Sequence, residues 1–122
     1  MDKPHKKLHV WLLSIELVRR IYRLTAAFPD EERFGLSGQM RRAAVGIPSN
    51  LAEGAARQSN GEFKRFLSIA RGSLSELDTQ LDLSEQLGLM SSYARRDLDA
   101  ILVRIDRMLY ALYEKKKGAT GS

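Results

Sequence analysis

Few residues in this 122-residue chain have the chemistry of an acid, base, ligand or nucleophile, and their spacing argues against each role in turn. His5 and His9 stand four apart and share a face if the first helix begins early. No Asp or Glu lies between them, so a pair of surface imidazoles is a simpler reading than a metal site. A di-iron centre inside a helical bundle needs Glu-x-x-His pairs projecting inward, and no histidine occurs after position 9. Cysteine is absent, which removes thiolate ligands, thiol nucleophiles and disulfides and fits a reducing compartment. The serines have no interior histidine to serve as a general base. Gly35-Leu36-Ser37-Gly38 lacks the Lys-Ser/Thr ending of a phosphate-binding loop. The expectation is a protein with no catalytic residues, no metal and no cofactor.

Charge is the chemistry that remains. Lys and Arg total 20 against 15 Asp and Glu, a formal +5 at pH 7. Arg41, Arg42, Arg57, Lys64, Arg65 and Arg71 are opposed between residues 41 and 71 only by Glu53 and Glu62. Residues 72–90 carry Glu76, Asp78, Asp82 and Glu85 with no Lys or Arg. The six cations are candidates for nucleic-acid phosphates, which bind basic surfaces by releasing condensed counterions. The competing reading is salt bridging between subunits plus a solvated face. Asn50 and Glu53 lie three apart beside Pro48 and need hydrogen-bond partners if buried. They read as a structural polar pair, with a small-molecule or enzyme pocket near Pro48, Asn50 and Glu53 as the alternative.

These side chains must be placed by helices. Val10, Leu13, Leu17, Ile21, Leu24 and Phe28 recur at steps of three and four, predicting a first helix over 8–28 that Pro29 ends. Met40, Ala43, Ala44, Ile47, Leu51 and Ala55 predict a second from Leu36 or Ser37 to Arg57, with Pro48 bending it at 44–48 or breaking it. Ser59-Asn60-Gly61-Glu62 reads as a capping box that opens a third helix, which Gly88 closes in the left-handed conformation. Ser91 or Ser92 opens a fourth, fraying near Lys115, with residues 118–122 as a disordered tail. Short links make consecutive helices antiparallel, so the fold class is all-α, one up-down-up-down four-helix bundle over residues 1–117.

The run Phe34-Gly35-Leu36-Ser37-Gly38-Gln39-Met40-Arg41-Arg42-Ala43-Ala44, continued through Val45-Gly46-Ile47-Pro48-Ser49-Asn50-Leu51-Ala52-Glu53-Gly54, resembles the signature of a known family. That family is the four-helix-bundle proteins of intervening sequences in bacterial 23S ribosomal RNA genes. The likeness extends through Glu62-Phe63, Phe66-Leu67, Ile69-Ala70, Gly72-Ser73-Leu74 and Glu76-Leu77, and Trp11, Tyr22 and Phe28-Pro29 fit it as well. The resemblance implies a bundle often assembled as a ring of five, with no established enzymatic activity. Similar members include the accessory variability determinant of diversity-generating retroelements, a basic barrel that binds nucleic acid and a reverse transcriptase. The partners it implies are further copies of the chain, RNA or DNA, and such an enzyme. Gly46 departs from the family's usual serine, and Ala55-Ala56 stand where an aromatic residue or glycine is common.

The first helix carries more apolar surface than one buried face uses: Trp11, Leu12, Ile15, Val18 and Tyr22 widen its stripe and are candidates for a subunit interface. Lys6, Lys7, Arg19, Arg20 and Arg23 beside Trp11 also permit a membrane-surface helix, a less economical account of the same width. No apolar run approaches the roughly 18–20 residues of a membrane span, and the N-terminal pattern has no secretory core. The expected location is the cytoplasm.

Overall fold

The apolar periodicity becomes four helices in a computed structural model of the chain, which describes residues 1–118. They are α1 (His9–Ala26), α2 (Leu36–Ala55), α3 (Asn60–Gln86) and α4 (Ser92–Gly118), with short 3-10 turns at Pro4–Lys7 and Asp30–Glu32. No strand occurs among the described residues. The ends are set by local chemistry. Ser59 Oγ accepts from the Glu62 amide at 3.1 Å and caps α3, and Ser91 Oγ accepts from the Ala94 amide at 3.0 Å and caps α4. Glu62 does not reach back to complete the capping box; its carboxylate lies 3.7 Å from Arg57 Nε. Gly88, at φ +74°, ends α3. The Leu89 amide bonds the Ser84 carbonyl at 2.8 Å and the Gly88 amide bonds the Glu85 carbonyl at 3.0 Å, the paired bonds of a Schellman motif.

Two helices are shorter than their periodicity suggests and one is longer. α1 stops at Ala26, although Phe28 beyond it is buried, and α2 stops at Ala55 rather than Arg57. α2 runs unbroken across Pro48, which excludes a complete break there. Where Pro48 removes an amide from this turn, the Asn50 side chain adds a donor, bonding the Gly46 carbonyl at 2.7 Å. α4 continues through Gly118, so Lys115–Lys117 do not fray and Gly118 is not tail. Leu112 and Tyr113 still pack against the core in its last turns, and a lysine run at a helix C-terminus complements the helix dipole. The remaining tail residues, 119–122, lie outside the described residues.

Side-chain neighbours fix the directions of the helices. Met40, Gly46 and Gly54 of α2 meet Ser84, Ser73 and Phe63 of α3 in descending order, and Asp82, Arg71 and Phe63 of α3 meet Arg95, Asp106 and Lys116 of α4 in ascending order. Both pairs are therefore antiparallel. Among the described residues the backbone of α1 lies close to those of α2 and α4, and that of α3 to those of α2 and α4, while the diagonal pairs are farther apart, a square in which the faces α1/α2 and α3/α4 lie opposite each other. Leu17, Ile21, Met40, Ile47, Leu51, Leu67, Leu77, Leu81, Ile105 and Leu109 fill its axis without solvent exposure. Buried Ser14 and Thr25 satisfy their hydroxyls on carbonyls of their own helix, at 2.7 Å each.

Candidate functional site

The six cations grouped by sequence are separated by the fold. Arg41 is half-buried and used internally: Nε donates to Thr25 Oγ1 at 2.8 Å, Nη2 to the Tyr22 carbonyl at 3.3 Å, and the guanidinium lies 4.4 Å over the Tyr22 ring. It ties α2 to the end of α1 and joins a predicted phosphate ligand to a predicted interface residue. Arg71 lies between α3 and α4, 3.7 Å from Asp106 Oδ1 and 5.3 Å over Tyr110. Arg42 is exposed in the first half of α2, about 20 Å of helix from its end at Ala55, beyond which Arg57 lies. Arg57, Lys64 and Arg65 gather at the opposite end of the bundle. Arg57 pairs with Glu53 at 3.1 Å and Glu62 at 3.7 Å, while Lys64 and Arg65 have no ion-pair partner among the described residues.

That end is the basic pole of the molecule, and sequence windows do not reveal it because three separate segments build it. The 3-10 turn Pro4–Lys7 packs on α1 and α2 and brings Lys3, Lys6 and Lys7; the α2/α3 link brings Arg57, Lys64 and Arg65; the end of α4 brings Lys115–Lys117. These nine cations face four carboxylates, Asp2, Glu53, Glu62 and Glu114, so the pole holds the whole formal +5 and the rest of the chain is balanced. Phe63 and Phe66 are half-buried beneath them, with Lys116 5.0 Å over the first ring and Arg57 and Arg65 4.9 and 5.7 Å over the second. The charged groups themselves lie over the ring faces, a cation–π arrangement that positions them at this end of the bundle.

The acidic second half of α3 has an internal partner that sequence reasoning did not name. Arg95 of α4 is buried to 8% exposure, donating from Nε to Asp82 Oδ1 at 2.9 Å and from Nη2 to Asp78 Oδ1 at 2.5 Å, with Asp99 Oδ1 3.5 Å from Nη1. Burial pulls its pKa down, and the hydrogen bonds and charges of Asp78 and Asp82 outweigh that and raise it, so the guanidinium is permanently charged. The available signal is register: Asp82 and Arg95 stand almost equally far from the Gly88 turn, as residues facing across an antiparallel hairpin must. Asn50 serves its own helix, and Glu53 is exposed on Arg57 rather than on Arg41 or Arg42.

On α1, Trp11, Ile15 and Val18 are half-buried, Leu12 is 51% exposed and Tyr22 42%. Trp11 and Val18 pack against the core of their own chain, and the Trp11 ring meets His5 edge-on at 5.0 Å. Leu12, Ile15 and Tyr22 are left facing outward, and Val45 of α2, 38% exposed, extends this apolar strip on the α1/α2 side. Surface clefts lie elsewhere: between α3 and α4, between α1 and α4, at residues 56–62, and where α1 meets α2. Pro48 is buried and lines none of these four. Among the described residues no three His, Cys, Asp or Glu are grouped to hold a metal ion, and no helix is long and apolar enough to cross a membrane.

The fold and its surfaces define an antiparallel four-helix bundle with one basic pole. Residues 6–111 match the family of 23S rRNA-intervening sequence proteins, and the chain belongs to that family. Among solved structures it is similar to a protein of unknown function from the S23 ribosomal protein family of Bacteroides thetaiotaomicron. The two are 22% identical with a TM-score of 0.77, over 86% of this chain and 98% of that one, a likeness of fold. No curated protein matches the chain.

Proposed function

We propose that the protein is a non-catalytic, cytoplasmic scaffold that self-associates and binds nucleic acid through its basic pole. The observation that carries this reading is the convergence of three distant segments, which puts the whole net charge at one end of the bundle and leaves Lys64 and Arg65 without carboxylate partners among the described residues. Such a concentration attracts a polyanion by counterion release. Repeating it in an assembly of copies, five in the resemblance, converts weak single contacts into avidity. The outward strip Leu12, Ile15, Tyr22 and Val45 supplies the apolar surface for that assembly.

RNA is the probe of choice because the family is named for 23S rRNA intervening sequences. A fluorescent RNA hairpin, titrated with protein and followed by anisotropy, is expected to bind at about 50 mM salt. With about five phosphates contacted, affinity falls roughly 500-fold by about 200 mM. Absence of binding even at the lower salt removes the nucleic-acid reading and leaves a protein adaptor. Light scattering that finds a monomer at micromolar concentration removes the self-association.

A further inference from the structure

At the end of the bundle away from the basic pole, one length of α1 or about 27 Å from it, a cleft of about 350 Å³ opens where α1 meets α2. That is the size of a small-molecule site. Its wall includes Ser37, 6% exposed, the second residue of α2. The other buried hydroxyls, those of Ser14, Thr25 and Ser84, bond carbonyls three or four residues back in their own helices. Ser37 has no helical turn behind it, and its hydroxyl makes no hydrogen bond among the described residues. The backbone beside it is equally open. No side chain caps α2, and the first amide with a helical acceptor is that of Gln39, on the Gly35 carbonyl at 3.1 Å, which leaves the amides of Leu36, Ser37 and Gly38. One turn further on, Arg41 lines the same cleft: Nε and Nη2 are spent on neutral oxygens of α1, and Nη1 has no acceptor among the described residues. Gly38 lets a second guanidinium approach, since a Cβ there would stand 2.9 Å from the Arg33 carbonyl. Asp30 is the one carboxylate in the wall, and neither it nor Arg33 nor Arg41 belongs to an ion pair among the described residues.

We infer that this cleft binds the carboxylate of a small molecule. The Ser37 hydroxyl, Arg41 Nη1 and the amides that open α2 donate to its oxygens, Arg33 adds positive charge from the rim, and Phe28 and Pro29 in the wall take its carbon chain. A helix start attracts an anion through its free amides and its dipole, and a guanidinium matches the two oxygens of a carboxylate. The buried hydroxyl is what separates this helix start from those of α3 and α4, where Ser59 and Ser91 are used as caps. The negative neighbours select the charge of the ligand. Asp30 shares the wall, and the Glu32 carboxylate lies 3.6 Å from where a Cβ on Gly35 would stand. A singly charged carboxylate meets less repulsion from them than a phosphate dianion does. Asp30 also favours a ligand that carries an ammonium beside its carboxylate, so a simple carboxylic acid and an amino acid are two sources of the same chemistry. The site is independent of polyanion binding, which the opposite end of the bundle serves.

The test is a set of amide proton–nitrogen NMR titrations of the full chain at constant ionic strength. The probes are 4-methylpentanoate, L-leucine, which adds an ammonium to it, 3-methylbutylamine, which lacks the carboxylate, and inorganic phosphate. The two carboxylates are expected to shift the amides of Leu36, Ser37 and Gly38 saturably, and the amine to leave them in place. Tighter binding of leucine assigns an amino acid as the source; tighter binding of 4-methylpentanoate assigns a simple acid. Ser37→Ala should weaken the carboxylates about tenfold and leave the urea midpoint of the unliganded protein unchanged, because the hydroxyl bonds nothing there. Arg33→Ala, at an exposed position, should weaken them roughly two- to fivefold. Carboxylates that fail to saturate these amides, or that shift only those around Lys64 and Arg65, overturn the inference. So does phosphate binding here more tightly than either carboxylate, or a Ser37→Ala protein that keeps its affinity and loses stability.

Discussion

Gly54→Val is expected to lower stability by about 3 kcal/mol, a drop in Tm of roughly 10 °C for a domain of this size. Gly54 is buried in α2 where α3 crosses closest: a Cβ there would stand 2.9 Å from Phe63 Cδ1 and 3.0 Å from Phe66 Cβ. One of these atoms sits directly on the α3 backbone and the other on a ring held beneath Lys116, so neither moves without shifting the helix. A valine adds two methyl groups at this crossing. Gly72→Ala is the matched control, since a Cβ at that exposed helical position meets nothing within 4 Å. It should stabilise the protein by roughly 0.5–1 kcal/mol through helix propensity alone. Urea melts of both variants, followed by circular dichroism, check the pair. A neutral Gly54→Val would mean that α2 and α3 do not approach this closely.

The second large effect is at Arg95. Arg95→Met keeps much of the buried stem and removes two charge-assisted hydrogen bonds, with an expected loss of about 2 kcal/mol. Asp78 and Asp82 are at least half exposed and regain water when the guanidinium leaves, which holds the loss below that of a fully buried pair. Arg95→Lys should recover only part of it, because one ammonium does not reproduce the planar fork that reaches both aspartates. The folded pKa lies above arginine's ordinary value, so this contribution is complete at every pH below that value and lost only above it. The difference in stability between wild type and Arg95→Met should therefore be flat across neutral pH in denaturant titrations as far as the arginine is concerned.

The helices were legible in the sequence because their signals are local. A 3.6-residue apolar period, a serine three residues before the amide it caps, and a glycine at a left-handed terminus each act within one or two turns, and α3 shows all of them. The end of α4 was not, because it depends on distant support: Leu112, Tyr113 and the Phe63 ring of another helix keep a polar lysine run helical. The candidate site was less legible for the same reason. A window over residues 41–71 collects Arg41, Arg57 and Arg71 into one charge, whereas the fold gives the first to Tyr22, the second to Glu53 and the third to Asp106. The basic pole draws on residues 3–7 and 115–117, which are neighbours only once four helices have closed. Tyr22 and Leu12 keep the outward exposure that the excess apolar width of the first helix implies, while Trp11 and Val18 are drawn back onto their own core.

Polyanion binding should reside at the basic pole, and the salt dependence of RNA binding measures that most directly. Anisotropy titrations of the hairpin at several salt concentrations should compare the wild type with Lys64→Ala/Arg65→Ala/Lys116→Ala and with Arg42→Ala. The log–log slope should fall in magnitude by about 0.7–0.9 for each phosphate no longer neutralised, roughly two units in the triple variant, and stay at the wild-type value in Arg42→Ala. An unchanged slope in the triple variant would contradict the basic pole as the binding surface.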